Sequence, residues 1–180
     1  MTYYGAKHLA DSFRTVRKNT LAIAEEIPED QYGFRATPDV MSVGEMLAHL
    51  AVAPMWQIDV HGQKVAQLDF AFFGMRMQQV RAEEQALRTK AEIVGALTAN
   101  GDRFAQFLEG LDEATLQSSV ALPAQSGSAS KTRFEMLLGP KEHEMHHRGQ
   151  LMLLQRLIGQ VPPLTRQRQA MMAQVAAGRA

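Results

Sequence analysis

The chemistry this chain can do is concentrated in His143-Glu144-Met145-His146-His147. His143 and His147 stand four apart. On an α-helix that spacing puts both side chains on one face, with Cβ atoms about 5–6 Å apart. Two imidazoles at that separation can bind one metal ion. At about 100° per residue, Gln150, Leu154, Leu157 and Ile158 fall within about 60° of His143. The pair therefore lies on the seam of the helix that enters the core. His146 projects to the margin of that seam; it could replace one of the pair, but it reads more simply as an edge residue.

His143-Glu144-x-x-His147 also matches the zinc metalloprotease pattern, with Glu144 as general base. Such proteases take a third ligand downstream. No Asp or Glu follows Glu144, and no His follows His147. The extended motif needs Gly at 150 and His at 153, where this chain has Gln150 and Leu153. A third ligand must come from upstream, and His49 is the best candidate. Ser42, Glu45, Met46, Ala53, Trp56 and Val60 share its helix side. His8 precedes the firm part of the first helix, and His61 projects about 120° away from His49. Three neutral imidazoles with open positions form a catalytic type of metal site. Such a site can acidify a bound water to a pKa of about 7, or ionise a bound thiol. Gln150 could orient a water or a ligand imidazole. Glu142 and Glu144 project to opposite flanks of the seam and read as solvated surface charges. Imidazoles alone leave the metal open among Zn, Ni, Co, Fe and Cu.

Helices must position these residues, because most of the chain has a period near 3.6. The first spans residues 5–27 on the stripe Leu9, Phe13, Val16, Thr20, Ile23 and Ile27, and Pro28 stops it. Ser42-Val-Gly-Glu45 is a capping box opening a second helix over 43–61, which Pro54 should kink or weaken near Leu50. Residues 62–79, with Phe70, Phe72, Phe73, Met75 and Met77, read as an ordered loop with a short helix. They could serve as a dimer surface or a pocket lid, with core packing the simpler role. Thr89-Lys-Ala-Glu92 opens a third helix ending near Gly110; a start near Arg81 is the alternative. Residues 111–130 read as a long loop with a short extended piece at 119–122. Thr132-Arg-Phe-Glu135 opens the last long helix, to about Ile158, which Pro140 interrupts early. Gly159 caps it and Pro162-Pro163 break the chain before a short tail helix over 165–177. Four main helices with apolar stripes argue for an all-α four-helix bundle.

Ser42-Val-Gly-Glu-Met-Leu-Ala-His49-Leu and His143-Glu-Met-His-His147-Arg-Gly-Gln-Leu151, with Arg156-Leu-Ile-Gly-Gln-Val-Pro-Pro163, resemble the DinB-like (YfiT-type) family. The order of elements agrees over residues 5–164; the tail over 165–180 lies outside it. The resemblance implies an up-down-down-up four-helix bundle and a homodimer. It also implies a divalent metal, zinc or nickel, held by His49, His143 and His147. Some relatives are metal-dependent thiol transferases or isomerases that use a low-molecular-weight thiol such as bacillithiol or mycothiol. Pro54 departs from the acidic or apolar helix former more usual after the first His motif.

Composition narrows the field further. The chain has 180 residues, enough for one domain with its own core. With no Cys among them, there is no disulfide, zinc finger or thiol nucleophile, so a reacting thiol must arrive with a cofactor. Nineteen basic residues balance nineteen acidic ones, which gives no bulk attraction to nucleic acid or anionic membrane. The neutral total hides a basic end, since residues 145–180 hold five Arg and no acid. Five Arg over two helices read as a solvated face rather than a nucleic-acid footprint. No apolar run suits a membrane span or signal peptide, so a cytoplasmic protein is expected. The leading expectation is a metal-dependent thiol S-transferase acting on a small molecule. A metal-dependent hydrolase, with Glu144 or Gln150 near the metal, is second. A non-enzymatic stress-response protein is third.

Overall fold

A computed structural model describes residues 4–123 and 126–178. The first helix, α1 (Ala6–Glu26), buries Leu9, Phe13, Val16, Thr20 and Ile23 as its stripe demands. It gives way at Ile27 to extended backbone before Pro28 and a single 3-10 turn at Glu29–Gln31.

All three capping boxes form. Ser42 opens α2 (Val43–Val52): its hydroxyl accepts from the Glu45 amide at 3.2 Å, and the Glu45 carboxylate accepts from the Ser42 amide at 2.9 Å. Thr89 does the same with Glu92 for the fifth helix, and Thr132 with Glu135 for the last long one. Pro54 has a larger effect than a kink. The expected helix over 43–61 ends at Val52 and resumes as α3 (Met55–Gly62). Proline has no amide proton for the Leu50 carbonyl four residues back. Arg17 Nη2 takes that carbonyl instead, at 2.9 Å, and Asn100 Nδ2 takes the neighbouring Ala51 carbonyl at 3.0 Å.

The segment expected to be a loop with a short helix is α4 (Phe70–Ala86), 17 residues long. Asp69 caps it, accepting from the Phe72 amide at 2.7 Å. Val80 is its one buried residue among those described, so it lacks the apolar stripe that betrays a helix in sequence. It ends before α5 (Lys90–Glu109), which rules out the alternative start near Arg81. The expected long loop contains a five-residue helix, α6 (Glu113–Gln117), capped by Asp112. The extended piece is strand β1 (Ser119–Ala121), which pairs antiparallel with β2 (Ser130–Thr132). Helix α7 (Arg133–Leu157) runs straight through Pro140, and Gly159 follows it at φ 81°, a left-handed conformation that suits glycine. The tail helix α8 (Pro163–Ala177) starts two residues earlier than expected and buries only Pro163.

The bundle consists of α1, α2, α5 and α7. Helix α1 packs on α5 and α7, and α2 packs on the same two, so the order around the axis is α1–α5–α2–α7. Its interior is two apolar clusters. One gathers Ile23, Leu47, Leu50, Ile93, Leu97, Leu151 and Leu154. The other gathers Phe13, Phe104, Leu108 and Leu137. Between them in sequence on three helices stand Arg17, Gly101 and Glu144.

Candidate metal centre

His49 sits in the last turn of α2, and His143 and His147 sit mid-way along α7. The α2–α7 packing brings the three rings together. Nε2 of His143 lies 3.0 Å from Nε2 of His49 and 3.1 Å from Nε2 of His147. One ligand atom from each of the three residues falls within 4.8 Å of the others. The rings meet edge to face, with centroids 4.6–5.2 Å apart.

The outer nitrogens fix the tautomers. His49 Nδ1 lies 2.6 Å from Glu84 Oε1 on α4, and His147 Nδ1 lies 2.7 Å from Gln150 Oε1. Both partners are acceptors, so both Nδ1 atoms carry the proton and both Nε2 atoms present lone pairs. The Gln150 amide fits this orientation, since its Nε2 donates to His146 Nε2 at 3.2 Å. At most one proton, on His143, can sit among the three converging nitrogens. A cation satisfies all three. Metal–nitrogen bonds of about 2.0–2.1 Å at angles of about 90–110° need nitrogens about 2.8–3.4 Å apart, a range that contains both separations.

The electrostatics agree with neutral imidazoles. Burial pushes His143 down to a pKa of about 4, helped by His147, His49 and His146 nearby. Burial also lowers His147, against its hydrogen bond to the Gln150 carbonyl. Both rings are thus neutral at about pH 7, the form in which imidazole binds metal.

A cavity of about 420 Å³ opens beside His49 and His143. Leu50, Ala53, Pro54, Trp56, Met77 and Val80 give it mostly apolar walls, with Gln57 and Glu144 as the polar exceptions.

Glu144 is not the solvated charge expected. It is 1% exposed, and its carboxylate receives Arg17 Nε at 3.0 and 3.1 Å and Arg17 Nη2 at 2.9 Å. The helical projection put it on a flank, but that flank is covered by α1. The remaining histidines lie elsewhere. His8 Nδ1 accepts from the Gly5 amide, and its ring stacks on Tyr4. His61 is buried between Arg133 and Gln57. His146 stays at the edge, bound to Gln150.

Two residues at this centre escaped the sequence reading. Glu84 lies between the segment 62–79 and the helix opened at Thr89, on the last turns of α4, and its spacing of four from Val80 is the available signal. Arg17 stands four after Phe13 on the buried stripe of α1, which is the place for a charge only if it has a buried partner.

Residues 12–151 match the DinB superfamily, and the chain belongs to that superfamily. Solved structures agree in fold. A DinB-like protein of Bacillus cereus is 15% identical, with a TM-score of 0.69 over 90% of this chain and 98% of its own. A DinB-like protein of Bacillus subtilis, YjoA, is 19% identical, with a TM-score of 0.62 over 85% and 93%. YfiT of Bacillus subtilis is 13% identical, with a TM-score of 0.68 over 89% and 91%. It is described as a probable metal-dependent hydrolase with an unusual four-helix bundle topology. No curated protein matches the chain. Among the described residues no helix is long and apolar enough to cross a membrane.

Proposed function

We propose that His49, His143 and His147 hold one divalent metal ion, zinc or nickel, and that the protein is a metal-dependent thiol S-transferase acting on a small molecule. The convergence of the three imidazoles, with His143 Nε2 3.0 Å from His49 Nε2 and 3.1 Å from His147 Nε2, carries the metal assignment. The state of Glu144 favours a thiol over water as nucleophile. It is the one carboxylate among the described residues lining the cavity, and Arg17 occupies both its oxygens. That leaves no free base to activate water. A thiol has less need of one, because its pKa starts at about 8.5.

A divalent ion at this centre supplies Lewis acidity, which lowers the pKa of a thiol or water beside it. The protein supplies the rest. Glu84 and Gln150 hold His49 and His147 with their lone pairs inward. Mostly apolar walls line the cavity beside His49 and His143. In the transfer, the thiol proton leaves to solvent, the sulfur bonds to the electrophilic carbon, and the leaving group departs with its electron pair.

Hydrolysis is the second reading, supported by the likeness to YfiT. Gln150 beside His147 would then place the water. A homodimer is supported by the apolar residues left exposed along α7 and α8, among them Leu153, Leu157, Met171 and Met172; light scattering after size exclusion measures it.

Elemental analysis of the purified protein tests the metal, beside His49→Ala, His143→Ala and His147→Ala. One equivalent in the parent and its loss from the variants is expected; full occupancy in all three sinks the assignment. Anaerobic assays with a thiol and chlorodinitrobenzene, against a nitrophenyl ester without thiol, then separate transfer from hydrolysis.

A further inference from the structure

One polar group in the cavity plays no part in holding the three imidazoles. Gln57 on α3 lines the cavity and is 6% exposed. Its amide is oriented from behind. Arg133 can only donate, and its Nη1 lies 3.0 Å from His61 Nδ1. His61 Nδ1 therefore accepts, and the ring proton sits on Nε2. That Nε2 donates to Gln57 Oε1 at 2.8 Å. The carbonyl oxygen of Gln57 is thus committed, while its amide nitrogen has no partner among the described residues.

Apart from a metal ion held by the imidazoles, the cavity offers no free charge. Its one carboxylate, Glu144, is neutralised by Arg17, and the other walls are chiefly apolar. Away from the imidazoles, a charged group would lose its hydration without a counter-ion, which is costly. A volume of about 420 Å³ suits a small molecule.

We propose that this cavity binds a small uncharged molecule with an apolar body and a carbonyl-type oxygen, which the Gln57 amide nitrogen holds by a hydrogen bond. This names the substrate class of the metal centre. It rests on the function proposed above for the reaction, though not for the binding.

Trp56 lines the cavity and is the only tryptophan in the chain, so its fluorescence reports on binding. The protein as purified is titrated with acetophenone and with ethylbenzene, which has a similar body without the oxygen; benzoate is titrated against the His147→Ala protein, which is expected to hold no metal. Acetophenone binds about tenfold tighter than ethylbenzene, the worth of about one hydrogen bond, and benzoate binds weakest. Gln57→Glu keeps an acceptor for His61 and removes the donor. It abolishes the preference for acetophenone and leaves ethylbenzene unchanged. Gly139→Leu is the second variant. Gly139 lines the cavity, and a Cβ added there meets no atom within 4 Å. Leucine also suits a helix better than glycine. It weakens both neutral probes at least about tenfold without lowering the melting temperature. Equal affinity for the two neutral probes, or a preference that survives Gln57→Glu, overturns the proposal. The metal reading fails separately: His147→Ala protein is titrated too, and a preference kept there alongside a metal-free parent leaves this proposal standing and removes the other.

Discussion

Arg17 and Glu144 are bound side by side in the middle of the bundle, with Nη2 2.9 Å from the nearer carboxylate oxygen and both side chains at most 5% exposed. The same guanidinium donates to the carbonyls of Leu50 and Leu97, at 2.9 and 2.7 Å. Leu50 follows His49, and Glu144 follows His143. One side chain from α1 thus ties together the two helices that bring these histidines into contact.

Breaking the pair on one side should be costly. Glu144→Gln leaves a buried cation without its counter-charge, and we expect a loss of about 3–5 kcal/mol in urea unfolding. The double replacement Arg17→Met with Glu144→Met should lose less than the single changes sum to, although two carbonyls then lack their donor. Gly101→Ala tests the same contact by crowding, since its Cβ would lie 2.9 Å from Arg17 Cγ. A loss of about 1–3 kcal/mol is expected.

Glu84 should act through His49. Glu84→Gln lets the side chain turn a donor toward Nδ1 and removes the charge that holds its proton. Metal affinity should fall about 10–100-fold in competition with a chromophoric chelator. Gln150→Leu should act in the same direction through His147. An affinity equal to that of the parent in both variants would leave these contacts without a role at the centre.

His61 makes stability depend on pH. Burial, helped by Arg133, lowers it from 6.5 to about 4. The unfolded chain therefore binds the proton first as pH falls. The contribution of His61 is fully present above 6.5 and is lost progressively on the way down to about 4. Urea midpoints measured across that window should fall more steeply for the parent than for His61→Gln. Parallel curves would show that His61 titrates normally.

Gln155 is 0% exposed, and neither its side-chain nitrogen nor its oxygen finds a partner among the described residues. An unpaired buried amide costs about 1–3 kcal/mol. Gln155→Met keeps the length and removes both polar atoms, so thermal melting should move upward. An unchanged or lower melting temperature would mean that the amide is satisfied in solution.

Local signals carried far in this chain. The three capping boxes are pairwise contacts three residues apart, and each forms. The spacing of four between His143 and His147 needed only a helix to place both rings on one side. What failed were judgements that depend on a neighbour. Glu144 looked solvated because a projection of α7 cannot see α1 lying on that flank. Helix α4 looked like a loop because it buries so little of itself, which leaves no apolar period to read. The five-residue α6 is too short to show one, and β2 exists only by pairing with β1.

The gap that Pro54 makes in α2 sets an order of events. The carbonyl of Leu50 has no donor within its own helix, and α1 supplies one only when the bundle has assembled. A peptide covering α2 and α3 alone should therefore fray where the first histidine sits. The site is completed by folding rather than by its ligand. A metal ion bound there would meet imidazoles already brought together by helix packing, unlike the zinc fingers whose chain stays unfolded until the ion arrives.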